Sequence, residues 1–138
     1  MKTNIFVNVA VKDLEKSKAF WSALGYSFNP QFTNETGACM MIDENIFSML
    51  VTEEFFKKLT KRELADSRKA VSTATCITLE TKEKVDEWAN KALSLGATEN
   101  NVPEMKVEDF MYGRSLNDLD GHIWEVMWMN SAAIQKSH

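Results

Sequence analysis

The chain has 138 residues, 44% of them hydrophobic and 26% charged, with a net charge of −4. That length is enough for one ordinary core, and that charge argues against a nucleic-acid partner, because phosphate binding needs clustered Lys and Arg. No apolar run approaches a membrane span, and Met1-Lys2-Thr3-Asn4 runs straight into a strand pattern, so neither a membrane partner nor a signal peptide is expected.

Residues 5–11 alternate, with Ile5, Val7, Val9 and Val11 on one face and Phe6, Asn8 and Ala10 on the other, which predicts a strand. Asp13 then caps a helix over 14–24, with Leu14, Phe20, Trp21 and Leu24 available for its buried side and Gly25 as its stop. A short strand at 26–28 ends at Asn29-Pro30. Two strands, 38–42 and 46–51, are joined as a hairpin by Asp43-Glu44-Asn45. Residues 52–69 turn charged, with Phe55, Phe56, Leu59 and Leu64 at helical spacing; Thr52 is an N-cap, and Thr60 with Glu63 reads as a second capping box. This stretch is expected to be a helical connector, and the alternative is a lid over a site.

The plan then repeats. Residues 74–80 alternate, 82–95 place Val85, Trp88, Ala89, Ala92 and Leu93 on one helical face, and Gly96 closes that helix. A short strand within 97–102, a strand at 110–116, a turn at Asp120-Gly121 and a strand at 122–129 follow, and the tail from 131 is polar. Gly25 and Gly96 lie about half a chain length apart, which points to an internal duplication. The expected fold is α+β: one domain over 1–138, made of two βαβββ modules (4–52 and 72–130) and a connector (53–70). Its mixed sheets would curve around a cavity with the helices outside.

One carboxylate, Glu125, interrupts the apolar last strand. Such a group is costly unless solvated, paired or bound to a cation. It reads either as a general base or cation-binding group, or as a carboxylate paired with a basic residue such as Arg114. Trp124, Val126 and Trp128 alternate away from it and read as core. His122 stands an odd number of steps from Glu125, which argues against an acid–base pair. Cys39 and Cys76 lack CxxC spacing and are expected to be reduced and buried in a cytoplasmic protein.

Two stretches carry a resemblance: Val11-Lys12-Asp13-Leu14-Glu15-Lys16-Ser17 with Phe20-Trp21 and Leu24-Gly25-Tyr26, and Asp118-Leu119-Asp120-Gly121-His122-Ile123-Trp124-Glu125. Together they resemble the vicinal oxygen chelate superfamily, which includes glyoxalase I, extradiol dioxygenases and bleomycin-resistance proteins. The resemblance implies four metal-facing positions, which fall here on Phe6, Met49, Cys76 and Glu125. Phe cannot coordinate and a thioether suits the usual divalent ions poorly, so no cofactor is expected; any metal would have to use Glu125 and Cys76. The expected function is binding of a small apolar or cationic molecule, with Glu125 as the charged group and Phe6, Asn8, Trp21, Met49, Cys76, Met111 and Met127 around the pocket. A glyoxalase-like lyase, isomerase or dioxygenase with a rearranged metal site at Glu125 is the alternative, and a protein-interaction module the third reading. A homodimer is expected from the resemblance and from open sheet edges.

Overall fold

A computed structural model describes residues 2–132, so the last six positions of the polar tail lie outside the described residues. The chain forms two compact units, one up to Asp66 and one from Ser67 onward. In the first, β1 (Ile5–Val11), α1 (Leu14–Ala23), β2 (Ser27–Asn29), β3 (Gly37–Asp43), β4 (Ile46–Thr52) and α2 (Glu53–Thr60) follow in order. In the second come β5 (Ala74–Thr78), α3 (Lys82–Ser94), β6 (Thr98–Asn100), β7 (Lys106–Val107), β8 (Met111–Asn117) and β9 (Ile123–Met129). The two sheets have strand orders β1-β4-β3-β2 and β5-β9-β8-β6, with β7 also on β8. In each, only the first and last long strands run parallel.

The duplication read from the sequence extends to register. Across the first sheet, Asn8, Met49, Cys39 and Asn29 stand side by side. Across the second, Cys76, Glu125, Ser115 and Asn100 do the same. Each helix starts with a side-chain cap, Asp13 accepting from the Lys16 amide and Thr81 from that of Lys84. Asn8 precedes Asp13 by the same interval as Cys76 precedes Thr81. Gly25 and Gly96 end the helices at φ of +109° and +111°, a conformation open to Gly at little cost.

Each helix covers one face of its sheet. In the first unit, Leu14, Ser17, Phe20 and Trp21 are buried, as are Ala38, Met40, Ser48 and Leu50. The one buried hydroxyl in that strand row, Ser48, donates to the Val7 carbonyl at 3.0 Å, so it carries no unmet hydrogen-bonding demand. In the second unit, Val85, Trp88, Ala89 and Ala92 of α3 are buried with Leu116, Trp124 and Val126 of the sheet. Lys82 Nζ lies 4.9 Å from the Trp128 ring centre.

The connector departs from expectation. α2 is capped by Thr52, as its sequence predicts. Thr60, however, opens no second helix: its hydroxyl donates back to the Phe56 carbonyl, and Lys61 turns left-handed at φ +57°. With Leu64 the only large apolar side chain in the next turn, a second helix had no face to bury. From Ser67 the chain belongs to the second unit, so the 53–70 connector is divided between the two.

Candidate functional site

The face of the second sheet turned away from α3 carries the chemistry. Glu125, between Ser115 of β8 and Cys76 of β5, is half-buried, and among the described residues no salt bridge reaches it. Arg114 belongs to the opposite face: its Nε and Nη2 bind both Glu99 oxygens at 2.7 and 2.9 Å, and its Nη1 reaches Asp86 and Asn90 of α3 at 3.2 and 3.0 Å. The alternative reading of Glu125 as a carboxylate paired with a basic residue such as Arg114 is therefore corrected for Arg114. Ser115, not Arg114, stands opposite Glu125, and alternation sends neighbouring side chains to opposite faces.

Cys76 is exposed rather than buried, whereas Cys39 is buried, and both thiols are free. Partial burial and then the charge of Glu125 raise the Cys76 pKa. Both causes disfavour the thiolate, so this cysteine is not an activated nucleophile.

Beside Glu125 runs a ladder of neutral polar groups. Asn100 Nδ2 donates to Ser115 Oγ and to Asn117 Oδ1, each at 3.1 Å. Asn117 Nδ2 donates to Thr98 Oγ1 at 3.0 Å and to Asn100 Oδ1 at 2.8 Å. On the other side of Glu125 the surface turns apolar. Met127, 6% exposed, packs with Met105 over Gly113, and Met111 and Met129 follow in register.

The turn before β9 is organised by Asp118. Its Oδ1 accepts from the amides of Asp120 and His122, and its Oδ2 from Trp124 Nε1 at 3.0 Å. Gly121, at φ +86°, lies against residues 67–68: a Cβ there would stand 2.6 Å from Arg68 Cγ and 3.1 Å from its backbone nitrogen. The Arg68 guanidinium donates to the Leu119 carbonyl. Residues 67–71 thus form a strap, and together with Thr98, Asn100, Asn117, Asp118 and Ile123 they enclose a cleft of about 700 Å³. Gly121→Ala is expected to cost about 1.5 kcal/mol from left-handed strain and displacement of the strap. Thermal unfolding checks this, and an unchanged melting temperature would mean that the strap is not seated there.

The sequence-predicted pocket residues divide. Met111, Met127 and Cys76 share the Glu125 face. In the first sheet, Phe6, Asn8 and Met49 share a face, and Phe6 stacks on Phe47 with ring centres 4.6 Å apart. Trp21 is corrected: it is 2% exposed, edge-on to Phe20 and Tyr26 within the α1 core, and lines no open surface. The first-strand position equivalent to Cys76 is Asn8 rather than Phe6, since Asn8 pairs with Met49 as Cys76 pairs with Glu125. The Asp118 turn and the amide ladder were missed. Asp-Leu-Asp-Gly did hold the signal for the first, because Asp side chains accept from amides two residues on.

These donors do not fit a firmly held metal ion. Among the described residues no three His, Cys, Asp or Glu side chains converge. Glu125 and Cys76 supply one carboxylate and one thiol, short of the three protein ligands usual for a catalytic ion. Their register equivalents Met49 and Asn8 add only a thioether and an amide to the inventory.

Residues 3–42 match a family described as bleomycin resistance protein-like N-terminal. Among solved structures, hypothetical protein SA1046 from S. aureus is similar at TM-score 0.77 and 26% identity, over 93% of this chain and 94% of that one. A glyoxalase/bleomycin resistance protein/dioxygenase family enzyme from Burkholderia phytofirmans PsJN gives 0.76 at 16% identity, over 91% and 97%. The chain has the fold of these structures, which is the vicinal oxygen chelate fold. The same fold appears in the fosfomycin resistance protein FosX from Listeria monocytogenes, at TM-score 0.70 and 16% identity over 100% and 99% of the two chains, in a structure complexed with Mn(II) and sulfate. No curated protein matches the chain. The vicinal oxygen chelate fold agrees with the two motifs and the duplicated βαβββ order. No helix of the described residues is long and apolar enough to cross a membrane.

Proposed function

We propose that this chain is a glyoxalase/bleomycin-resistance-like binder of a small cationic or largely apolar molecule, with Glu125 as the group that neutralises or orients it. The observation that carries this reading is the setting of Glu125. It is a half-buried carboxylate with no ion pair among the described residues, set between the Asn100–Ser115 ladder and the Met111, Met127 and Met129 surface. A carboxylate so placed favours a cation, and the methionines are adaptable apolar filler. A homodimer in the cytoplasm completes the reading, in keeping with the open edges of β1 and β5 and with two unpaired thiols.

Calorimetric titration with benzyltrimethylammonium and its neutral isostere neopentylbenzene tests it. The ammonium should bind, and Glu125→Gln should weaken it by about tenfold without changing the isostere. Equal binding to both proteins would overturn the assignment.

The register pairing of Cys76 with Glu125 is the one observation favouring the alternative, a lyase, isomerase or dioxygenase with a rearranged metal site. A stoichiometric divalent ion in protein purified without tags or chelators, lost in Glu125→Gln, would establish that reading instead.

A further inference from the structure

The cleft beneath the 67–71 strap does not include Glu125, although Asn100 borders both. Its polar character follows from counting hydrogens. A primary amide has two N–H hydrogens and a carbonyl oxygen with two lone pairs. Asn100 and Asn117 bind each other reciprocally, and each directs its second hydrogen to a hydroxyl, that of Ser115 or Thr98. All four amide hydrogens are therefore engaged, while each Oδ1 accepts one of these bonds and keeps a lone pair. The floor offers oxygen acceptors and no amide donor.

The other walls differ. Asp118 also borders the cleft, but its oxygens are turned to two backbone amides and the Trp124 indole. Arg68 is engaged with the Leu119 carbonyl. Lys69, in the strap, meets no carboxylate among the described residues and brings a positive charge to the rim. Ala70, Val71, Leu119 and Ile123 supply the apolar contact. A volume near 700 Å³ is within the range of small-molecule sites.

The geometry points to a second small-molecule site here, for an amine-bearing carboxylate whose ammonium hydrogens meet Asn100 and Asn117 Oδ1 and whose carboxylate meets Lys69. A simple carboxylate leaves the acceptor floor without donors. A simple amine sets its charge against Lys69 and leaves that lysine without a carboxylate. Only the zwitterion satisfies both ends.

The test is a titration of the full chain, followed by the side-chain amide resonances of Asn100 and Asn117. The probes are β-alanine, γ-aminobutyrate and ε-aminohexanoate, with butylamine and butyrate as single-ended controls. At least one amino acid should shift both amides and bind about tenfold tighter than either control. Lys69→Met should remove that advantage by weakening the amino acid and tightening butylamine, which no longer meets a like charge, and Lys69 is exposed, so the substitution is not expected to disturb the fold. Butyrate binding as well as γ-aminobutyrate would overturn the acceptor floor, and silence of both amides across the whole series would overturn the site. Glu125→Gln separates the two proposals: it should leave this binding intact, and if it abolishes it the ligand occupies the Glu125 row and no second site exists.

Discussion

Asp118→Ala is expected to lower the unfolding free energy by about 3 kcal/mol, because it removes the carboxylate that accepts from three donors. Two are the amides of Asp120 and His122, at 2.9 and 3.0 Å from Oδ1. The third is the indole N–H of Trp124, a residue only 1% exposed, which water cannot serve in place of the carboxylate. The same turn carries the Leu119 carbonyl and Gly121, on which the strap rests, so the loss extends to the cleft wall. Urea unfolding measures the cost, and a change below about 1 kcal/mol would show that the turn holds without its carboxylate.

The Asp118 pKa is raised above its ordinary 3.8, chiefly by burial; the charge of His122 and the bonds from Trp124, Asp120 and His122 act in the opposite sense. The folded state therefore binds this proton more tightly than the unfolded chain. Through this group, stability rises as pH falls through the raised value, and the gain is complete below 3.8. Asp118→Asn cannot titrate. The stability of the natural protein relative to that variant should accordingly increase on acidification, and a parallel pH dependence would contradict the assignment.

Arg114→Met should cost about 2 kcal/mol. The guanidinium ties β8 to β6 through both oxygens of Glu99 and to α3 through Asp86 and Asn90, and its side chain is 14% exposed. Tyr112 adds a bond to the same Asp86 oxygen at 2.5 Å. Removing the cation leaves Asp86 and Glu99 facing one another, but their side chains are 47% and 38% exposed and regain water, which holds the loss below that of a fully buried pair. Hydrogen bonding to Arg114 is the main cause that lowers the Glu99 pKa below 4.5. That contribution is present above the ordinary value and disappears as pH falls through the lowered one. In Arg114→Met this acid-side loss should vanish from the stability profile. If it persists, Glu99 draws its stabilisation from elsewhere.

What the sequence made legible was local. The alternation of β1, the apolar stripe of α3 and the helix stops at Gly25 and Gly96 depend on neighbours in the chain, so periodicity exposed them. β7 was invisible because two residues become a strand only through pairing with β8. Arg114 was misplaced for a related reason. Which face it shares with Glu125 depends on inter-strand register, and a shift of one residue would have reversed the answer. The amide ladder needs the same information, since Asn100 and Asn117 lie on different strands. The exchange of Phe6 for Asn8 was within reach, because the interval to the helix caps Asp13 and Thr81 is written in the sequence.

The matching rows also give the molecule a built-in experimental control. Asn8, Met49, Cys39 and Asn29 reproduce the backbone setting of Cys76, Glu125, Ser115 and Asn100 with different side chains. Met49→Glu therefore grafts the carboxylate onto an equivalent scaffold within the same polypeptide. A graft that gains cation affinity would mean that backbone placement is sufficient. A graft that remains inert would trace the behaviour of Glu125 to its own neighbours, Ser115 and Cys76. The repeated plan of this fold thus lets one half calibrate the other.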